Sequence, residues 1–431
     1  MNAVCTSGET WDDSMAMCMP ARADASNASI WDTMTSPDGC GSEGYYEFGM
    51  SMCEPRPGRP GRLSGMVMGS AFLVGIDEAG PRGRMALSSP NWLMGDTGID
   101  LTSWNRLELD TMLTAERWTT PANGYPELLQ IGENTAAGAP YLDAQHPHSS
   151  PIMGLTLSDV VSWSRDRTRL VRVFVAPRGE STDGPIAFMH RPTGTVNPDA
   201  PLGHHVGQDV GHISSTVAGA SLYMGGTVVE ASSFHGREPL PTQVDLPIGA
   251  LDSFAFRVSQ LFDSHVMGSA SAAYVNDPEG DPTIPHVWRL SGSAYTQHVV
   301  LGDWRLHTMG AWGGMVDYDH ATFLNSFIGE GLLTDDHSNA FWSRLEVLQR
   351  TPGELEIASP APNVGHWTGA LTLGVTRRVV SAWGFDFSLG GSSTATMLPP
   401  SYVAAYGSSV AFSGKLFLEA RFIRMFAVVG R

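Results

Sequence analysis

Trp367-Thr-Gly-Ala-Leu-Thr-Leu-Gly-Val-Thr-Arg-Arg-Val379 is the stretch on which the fold class turns. Trp367, Leu371, Leu373, Val375 and Val379 share one parity, and small or polar residues hold most of the other. Apolar residues at every second position mark a β-strand with one greasy face. The same period recurs elsewhere. Ile99, Leu101, Leu107, Leu109 and Leu113 oppose Asp100, Arg106, Glu108, Asp110 and Glu116. Trp304, Leu306, Trp312 and Val316 oppose Arg305, His307 and Asp317. Phe412, Leu416, Leu418, Ala420 and Phe422 oppose Ser413, Lys415, Glu419 and Arg421. Such spans exceed the ~5–6 residues of an ordinary strand. They suit a tilted membrane strand of ~9–11 residues with a wet inner face.

Connection lengths point the same way. Strands are expected near 66–77, 83–97, 99–117, 151–163, 168–178, 213–225, 226–237, 252–263, 266–276, 286–300, 303–317, 322–333, 339–350, 366–379, 382–391 and 409–422. Alternate connections are short, around Gly98, Asp166, Gly225-Gly226, Ser264, Leu301-Gly302, Asp336 and Ser381. Those between are often long: 118–150, 179–212, 238–251, 277–285, 351–365 and 392–408. An outer-membrane barrel sorts its loops by side in this way, whereas a sandwich has no reason to. The expectation is an all-β, closed, antiparallel up-and-down transmembrane barrel of about sixteen strands, with 12–16 as the range. A soluble sandwich or propeller is the competing class. Phe422 stands where many such barrels end, and Ile423–Arg431 is read as a tail or as a sign of a different final register.

The first sixty-two residues read as a separate piece. Cys5-Thr-Ser-Gly-Glu-Thr-Trp-Asp-Asp-Ser-Met-Ala-Met-Cys18-Met-Pro20 repeats as Cys40-Gly-Ser-Glu-Gly-Tyr-Tyr-Glu-Phe-Gly-Met-Ser-Met-Cys53-Glu-Pro55. The repeat aligns Cys5 with Cys40, Met15 with Met50, Met17 with Met52 and Cys18 with Cys53. All four cysteines lie here, in units too small to bury a core. Two disulfide loops, Cys5–Cys18 and Cys40–Cys53, are the plainer reading, and each would contribute ~3 kcal/mol. The sharper one is a soft sulfur site for a Cu(I)-like ion, which bridged cysteines would reduce to thioethers. Residues 1–62 are therefore expected as a Cys/Met module with a proline linker, Pro55-Arg-Pro-Gly-Arg-Pro-Gly61, and 63–431 as the barrel. An even strand count puts both termini on the short-turn side, so the module is expected in the periplasm. Met1-Asn-Ala-Val-Cys5 has neither a basic n-region nor an apolar h-region, which fits a cytosolic chain or one whose signal peptide has been removed. The cysteines favour the second.

Seven of the fourteen histidines fall between His146 and His235, in long polar loops. On consecutive loops of one barrel end, His146, His148, His190, His204, His205, His212 and His235 can converge with Asp143, Asp209, Glu133 and Glu238. Imidazole with carboxylate suits Zn(II), Cu(II) or Ni(II). The rival reading is a plug whose imidazoles hydrogen-bond within the lumen, since long ordered loops need internal partners. A third is a barrel hydrolase using His148-Ser149-Ser150 or His212-Ile213-Ser214, although the Asn-His-x-Ser-Asn-Gly run of outer-membrane phospholipases is absent. No P-loop, dinucleotide or Cys-x-x-Cys zinc pattern is present. The net charge of −18 argues against nucleic acid and favours cations as solutes. One of the 26 basic residues is a lysine, Lys415.

Several phrases resemble an uncharacterised family of predicted bacterial outer-membrane proteins. They are Phe72-Leu-Val, Gly80-Pro-Arg-Gly-Arg84, Asn91-Trp-Leu-Met94, Gln145-His-Pro-His148, Pro201-Leu202 with His204-His205 and Asp209 through His212, Phe234-His-Gly-Arg-Glu-Pro239, Gly249-Ala-Leu-Asp-Ser253 and Arg344-Leu-Glu346. The family usually has Asp after Gln-His-Pro-His, where this chain has Ser149. The resemblance runs over about residues 65–422. It implies a porin-like barrel in the outer membrane and a link to copper handling, with no activity attached. The combined expectation is a channel or capture protein for a small solute, embedded in lipid, with copper first and zinc second as candidate ions. A plugged barrel without metal is the alternative.

Overall fold

The computed structural model describes residues 9–12, 17–20, 40, 44–135, 139–208, 210–263, 265–278, 284–317, 322–335 and 338–429. Sixteen strands close one antiparallel barrel. They are β1 (Arg62–Glu78), β2 (Met85–Ser88 continuing as Asn91–Asp100), β3 (Asn105–Leu113), β4 (Ile152–Ser162), β5 (Arg169–Gly179), β6 (Ser214–Met224), β7 (Thr227–His235) and β8 (Ser253–Leu261). Then follow β9 (Val266–Asn276), β10 (His286–Leu301), β11 (Trp304–Asp317), β12 (Thr322–Thr334), β13 (Asn339–Arg350), β14 (His366–Ala382), β15 (Phe385–Met397) and β16 (Val410–Val429). Each pairs with its sequence neighbour, and β16 closes onto β1 from Ser413 opposite Glu78 to Val429 opposite Arg62. Full closure leaves no strand edge unpaired, which a bilayer demands.

The alternation sets inside from outside. Leu73, Leu93, Leu109, Leu157, Val173, Phe254, Phe327, Leu345, Leu373, Phe412 and Leu418 are exposed on the outer wall. Their neighbours in sequence, including Asp96, Arg106, Glu108, Arg172, Glu230, Arg257, Glu330 and Arg344, are buried in the lumen. An apolar band around a polar interior is the transmembrane arrangement. Trp104, Trp163, Phe262 and Trp383 are exposed beside the short turns, and Trp118, Phe323 and Trp367 near the other rim, as aromatic girdles require. No described helix is long and apolar enough to cross a membrane.

Two registers differ from expectation. The turn expected at Gly98 lies at Leu101–Trp104, where the Leu101 amide donates to the Asn105 carbonyl at 2.9 Å. Gly98 is instead within β2, and a Cβ there would meet the Arg106 guanidinium 2.4 Å away. β16 does not stop at Phe422: Ile423–Val429 continue it, because the first half of β1 needs a hydrogen-bonding partner to close the seam.

The lumen is filled rather than open. A hairpin, Tyr125–Asn134 with Pro140–Gln145, folds in from the β3–β4 connection. The β5–β6 connection, 180–213, crosses the interior, where Arg191 and Arg344 both bind the Glu330 carboxylate. Lys415 reaches Asp199 of this connection at 2.7 Å and Glu78 at 3.4 Å. From the short-turn end enters a second hairpin, Gly44–Glu47 with Met52–Pro55, closed by the Cys40–Cys53 disulfide. Tyr45 donates to Glu108, Glu47 pairs with Arg172 at 3.3 Å, and Arg257 stacks over Phe48. Over these residues the piece expected outside the barrel occupies its interior. A residue outside the membrane slab could not meet Glu108 and Arg172 on β3 and β5. Glu9–Asp12 pairs with Met17–Pro20, and Cys5 and Met15 lie outside the described residues.

Candidate metal centre

The site is built by three connections from the long-loop end. His146 and His148 follow the first lumen hairpin. Asp143, within that hairpin's second strand, has φ at +48°, and its carboxylate accepts from the Leu129 amide at 2.7 Å and the Tyr406 hydroxyl at 2.8 Å. Asp143 is thus engaged in holding the loop, with Arg82 as its ion partner, and stands apart from the imidazoles. His204 and His205 start a wide turn, His204–Gln208, and His212 ends a tight one, Val210–His212. The wide turn is pressed into the wall. Ser326 Oγ donates to the Val206 carbonyl at 2.6 Å. Gly207 has φ +70°, and a Cβ on Gly313 would lie 2.2 Å from that same carbonyl oxygen. Glycine is the residue that permits this approach.

These turns assemble five imidazoles. His204 and His212 have ring centroids 4.5 Å apart, His204 and His205 4.7 Å, His146 and His148 5.3 Å, His148 and His212 5.6 Å, and His146 and His205 6.1 Å. In one group, His146, His204 and His205 each offer a ligating atom within 4.8 Å of the others, and all three are buried. In a second, His204, His212 and Glu238 do the same. Glu238 also lies 3.9 Å from His205 Nδ1. His148 Nδ1 meets Glu116 Oε2 at 3.1 Å, which aims its Nε2 at His212 Nε2, 3.5 Å away. Carboxylates commonly orient metal-bound imidazoles in this way.

Burial keeps these rings neutral. Desolvation first, then the neighbouring His148, lowers His146 to about 3. His204 and His205 are driven well below the usual histidine range, by desolvation and then by His212 and His146 respectively. A neutral imidazole keeps a lone pair for an ion. Nδ1 of His146 and of His204 are buried with no hydrogen-bond partner among the described residues. An unmet buried polar atom costs about 1–3 kcal/mol, so two of them at one point fit an absent ligand. Imidazole nitrogens bind an ion at ~2.0–2.1 Å, so two ligands of one ion stand at most ~4.2 Å apart, and donors grouped within 4.8 Å need to draw together slightly to share one.

Two expected ligands are elsewhere. His190 Nε2 pairs with Glu180 at 2.7 Å. His235 Nδ1 pairs with Asp252 at 3.1 Å at the rim, half-exposed. Sequence spacing cannot separate such histidines, because all sit on the same run of loops. Asp209 and the Glu133 side chain lie outside the described residues. Glu116 was missed: it sits in a short helix, Glu116–Thr119, and nothing in its local sequence marks a partner for His148. For the hydrolase reading, Ser150 Oγ donates to the Ile152 carbonyl at 3.1 Å. Among the described residues no serine hydroxyl bonds either His148 or His212.

No protein-family model and no curated protein matches this chain. Solved structures do. OprB of Pseudomonas putida is 8% identical, covers 84% of this chain and 94% of its own, and superposes with a TM-score of 0.51. OmpF of Salmonella typhi, solved with daunomycin, is 7% identical, covers 83% of this chain and 97% of its own, with a TM-score of 0.50. An anion-selective porin from Comamonas acidovorans is 10% identical over 84% of this chain and 98% of its own, with a TM-score of 0.47. The chain has the fold of an outer-membrane porin barrel. These comparisons add no link to the uncharacterised family or to copper.

Proposed function

We propose that this protein is a porin-like channel or capture protein of the bacterial outer membrane, and that its lumen-folded loops hold a transition-metal ion, copper first and zinc second. The observation that carries the metal is the convergence of buried, neutral His146, His204 and His205, two of them with a ring nitrogen unmet. His212 and Glu238 extend the donor set. The polar lumen and acidic chain favour a cation as solute. The bilayer is the partner of the outer wall, and the short-turn end is periplasmic. No catalytic role is assigned to any residue.

Metal analysis of the purified chain tests it. The native protein retains Cu(II) or Zn(II) through dialysis, and His146→Ala with His204→Ala releases it. His235→Ala leaves the content unchanged. Equal metal content in the native chain and the double variant overturns the site and leaves a plugged barrel without metal.

A further inference from the structure

The inward face of the barrel carries several buried apolar clusters, of Phe72, Val74, Ile76 and Phe417 and of Phe174, Val217, Phe234 and Val275 among others, and one that is made chiefly of methionine. Met66 and Met68 on β1, Met94 on β2 and Met112 on β3 all point inward and are buried. Their register is a row. Met68 stands directly opposite Met94, and Met94 directly opposite Met112, while Met66 stands opposite Met425 on β16. Directly opposed side chains have Cβ atoms ~4.5–5.5 Å apart, well within thioether reach. Met52 of the disulfide-closed hairpin packs with Met66, Met68 and Met94, with Met50, Met425, Trp92 and Ile423 at the margin. With Cys40 and Cys53 joined, the sulfur donors left in this hairpin are thioethers.

We infer that Met52, Met66, Met68 and Met94 form a second binding site, for a soft monovalent cation of the Cu(I) or Ag(I) class. The hairpin brings a thioether from outside the barrel sequence to a wall already lined with three. Thioethers select Cu(I) over hard cations. Leucine would fill the same space in a merely apolar contact, yet the four positions carry sulfur from three separate segments, the hairpin, β1 and β2. A cavity beside the cluster is lined by Met50, Met94, Met112 and Met153 together with His190 and His212. The soft site does not depend on the imidazoles.

Titration of the intact, oxidised chain in detergent with Cu(I), held reduced by ascorbate against a bathocuproine competitor, tests the inference. The native chain withdraws Cu(I) from the chelator. Met68→Leu with Met94→Leu, which conserves volume, loses that capacity but keeps Cu(II) on the imidazole site. His146→Ala with His204→Ala behaves in the opposite way. Cu(I) retention in the methionine variant equal to native, or its loss in the histidine variant alone, overturns the thioether site. X-ray absorption on the native Cu(I)-loaded chain gives a reading that needs no variant. Sulfur neighbours are expected, and nitrogen-only coordination refutes the assignment.

Discussion

His146 concentrates the argument at the scale of single residues. Its ring is buried against His148 and His205, with one nitrogen unmet, and its proton affinity is held at about 3. In the unfolded chain the same ring titrates near ~6.5. Below that value the unfolded state takes up protons that the folded state refuses, so stability falls as pH drops from about 6.5 toward about 3. The metal-free protein should therefore lose resistance to denaturant steadily across that window, which tryptophan fluorescence at successive pH values can follow. His146→Gln should flatten the slope. A bound ion should persist at pH 5.5, because the neutral rings do not yield to protons there; release at that pH would contradict the assigned neutral state. The histidine run of 146–235 was legible as a concentration of ligands. Which members meet was not, because His190 finds Glu180 and His235 finds Asp252, choices made by tertiary contact alone.

Among elements, the turn His204–Gln208 is the piece on which the site depends, and its seat is Gly313. Gly313→Val inserts atoms where the Val206 carbonyl lies, and overpacking of this kind costs on the order of 1–3 kcal/mol. We expect the barrel to persist, with unchanged heat-modifiable migration, while metal retention drops and single-channel conductance rises. Unaltered conductance and retention would mean that the turn is held by other contacts. The strands themselves were open to sequence reading, since the period of two and the sorting of loop lengths are local signals. All sixteen expected strands coincide in place with observed ones. What escaped was set by pairing across the seam. The extension of β16 past Phe422 exists because Leu63 and its neighbours on β1 need partners. The entry of Gly44–Pro55 into the lumen rests on Glu47 meeting Arg172 and Tyr45 meeting Glu108. Such contacts have no periodicity to betray them.

At the level of the whole molecule, inward loops convert a porin-type cylinder into a stoppered one. Replacing 182–208 with a short Gly-Ser linker should remove the Arg191–Glu330 and Lys415–Asp199 ion pairs and open a conducting path, read as a step increase in planar-bilayer conductance. A conductance equal to that of the native chain would refute the stopper. Glu330→Ala should be the costliest single change in the lumen, since it strands Arg191 and Arg344 together. Removing one partner of a buried pair costs ~3–5 kcal/mol, and urea unfolding of the variant can measure it.

The chain's one lysine, Lys415, sits 4% exposed on β16, clasped by Asp199 and Glu78. A lysine-specific endoprotease therefore has a single peptide bond to cut, and in the closed cylinder it cannot reach it. Intact chain reports a sealed seam, while a clipped product lacking its last sixteen residues reports that β16 has let go of β1. Digestion kinetics become a direct gauge of how often the cylinder unzips.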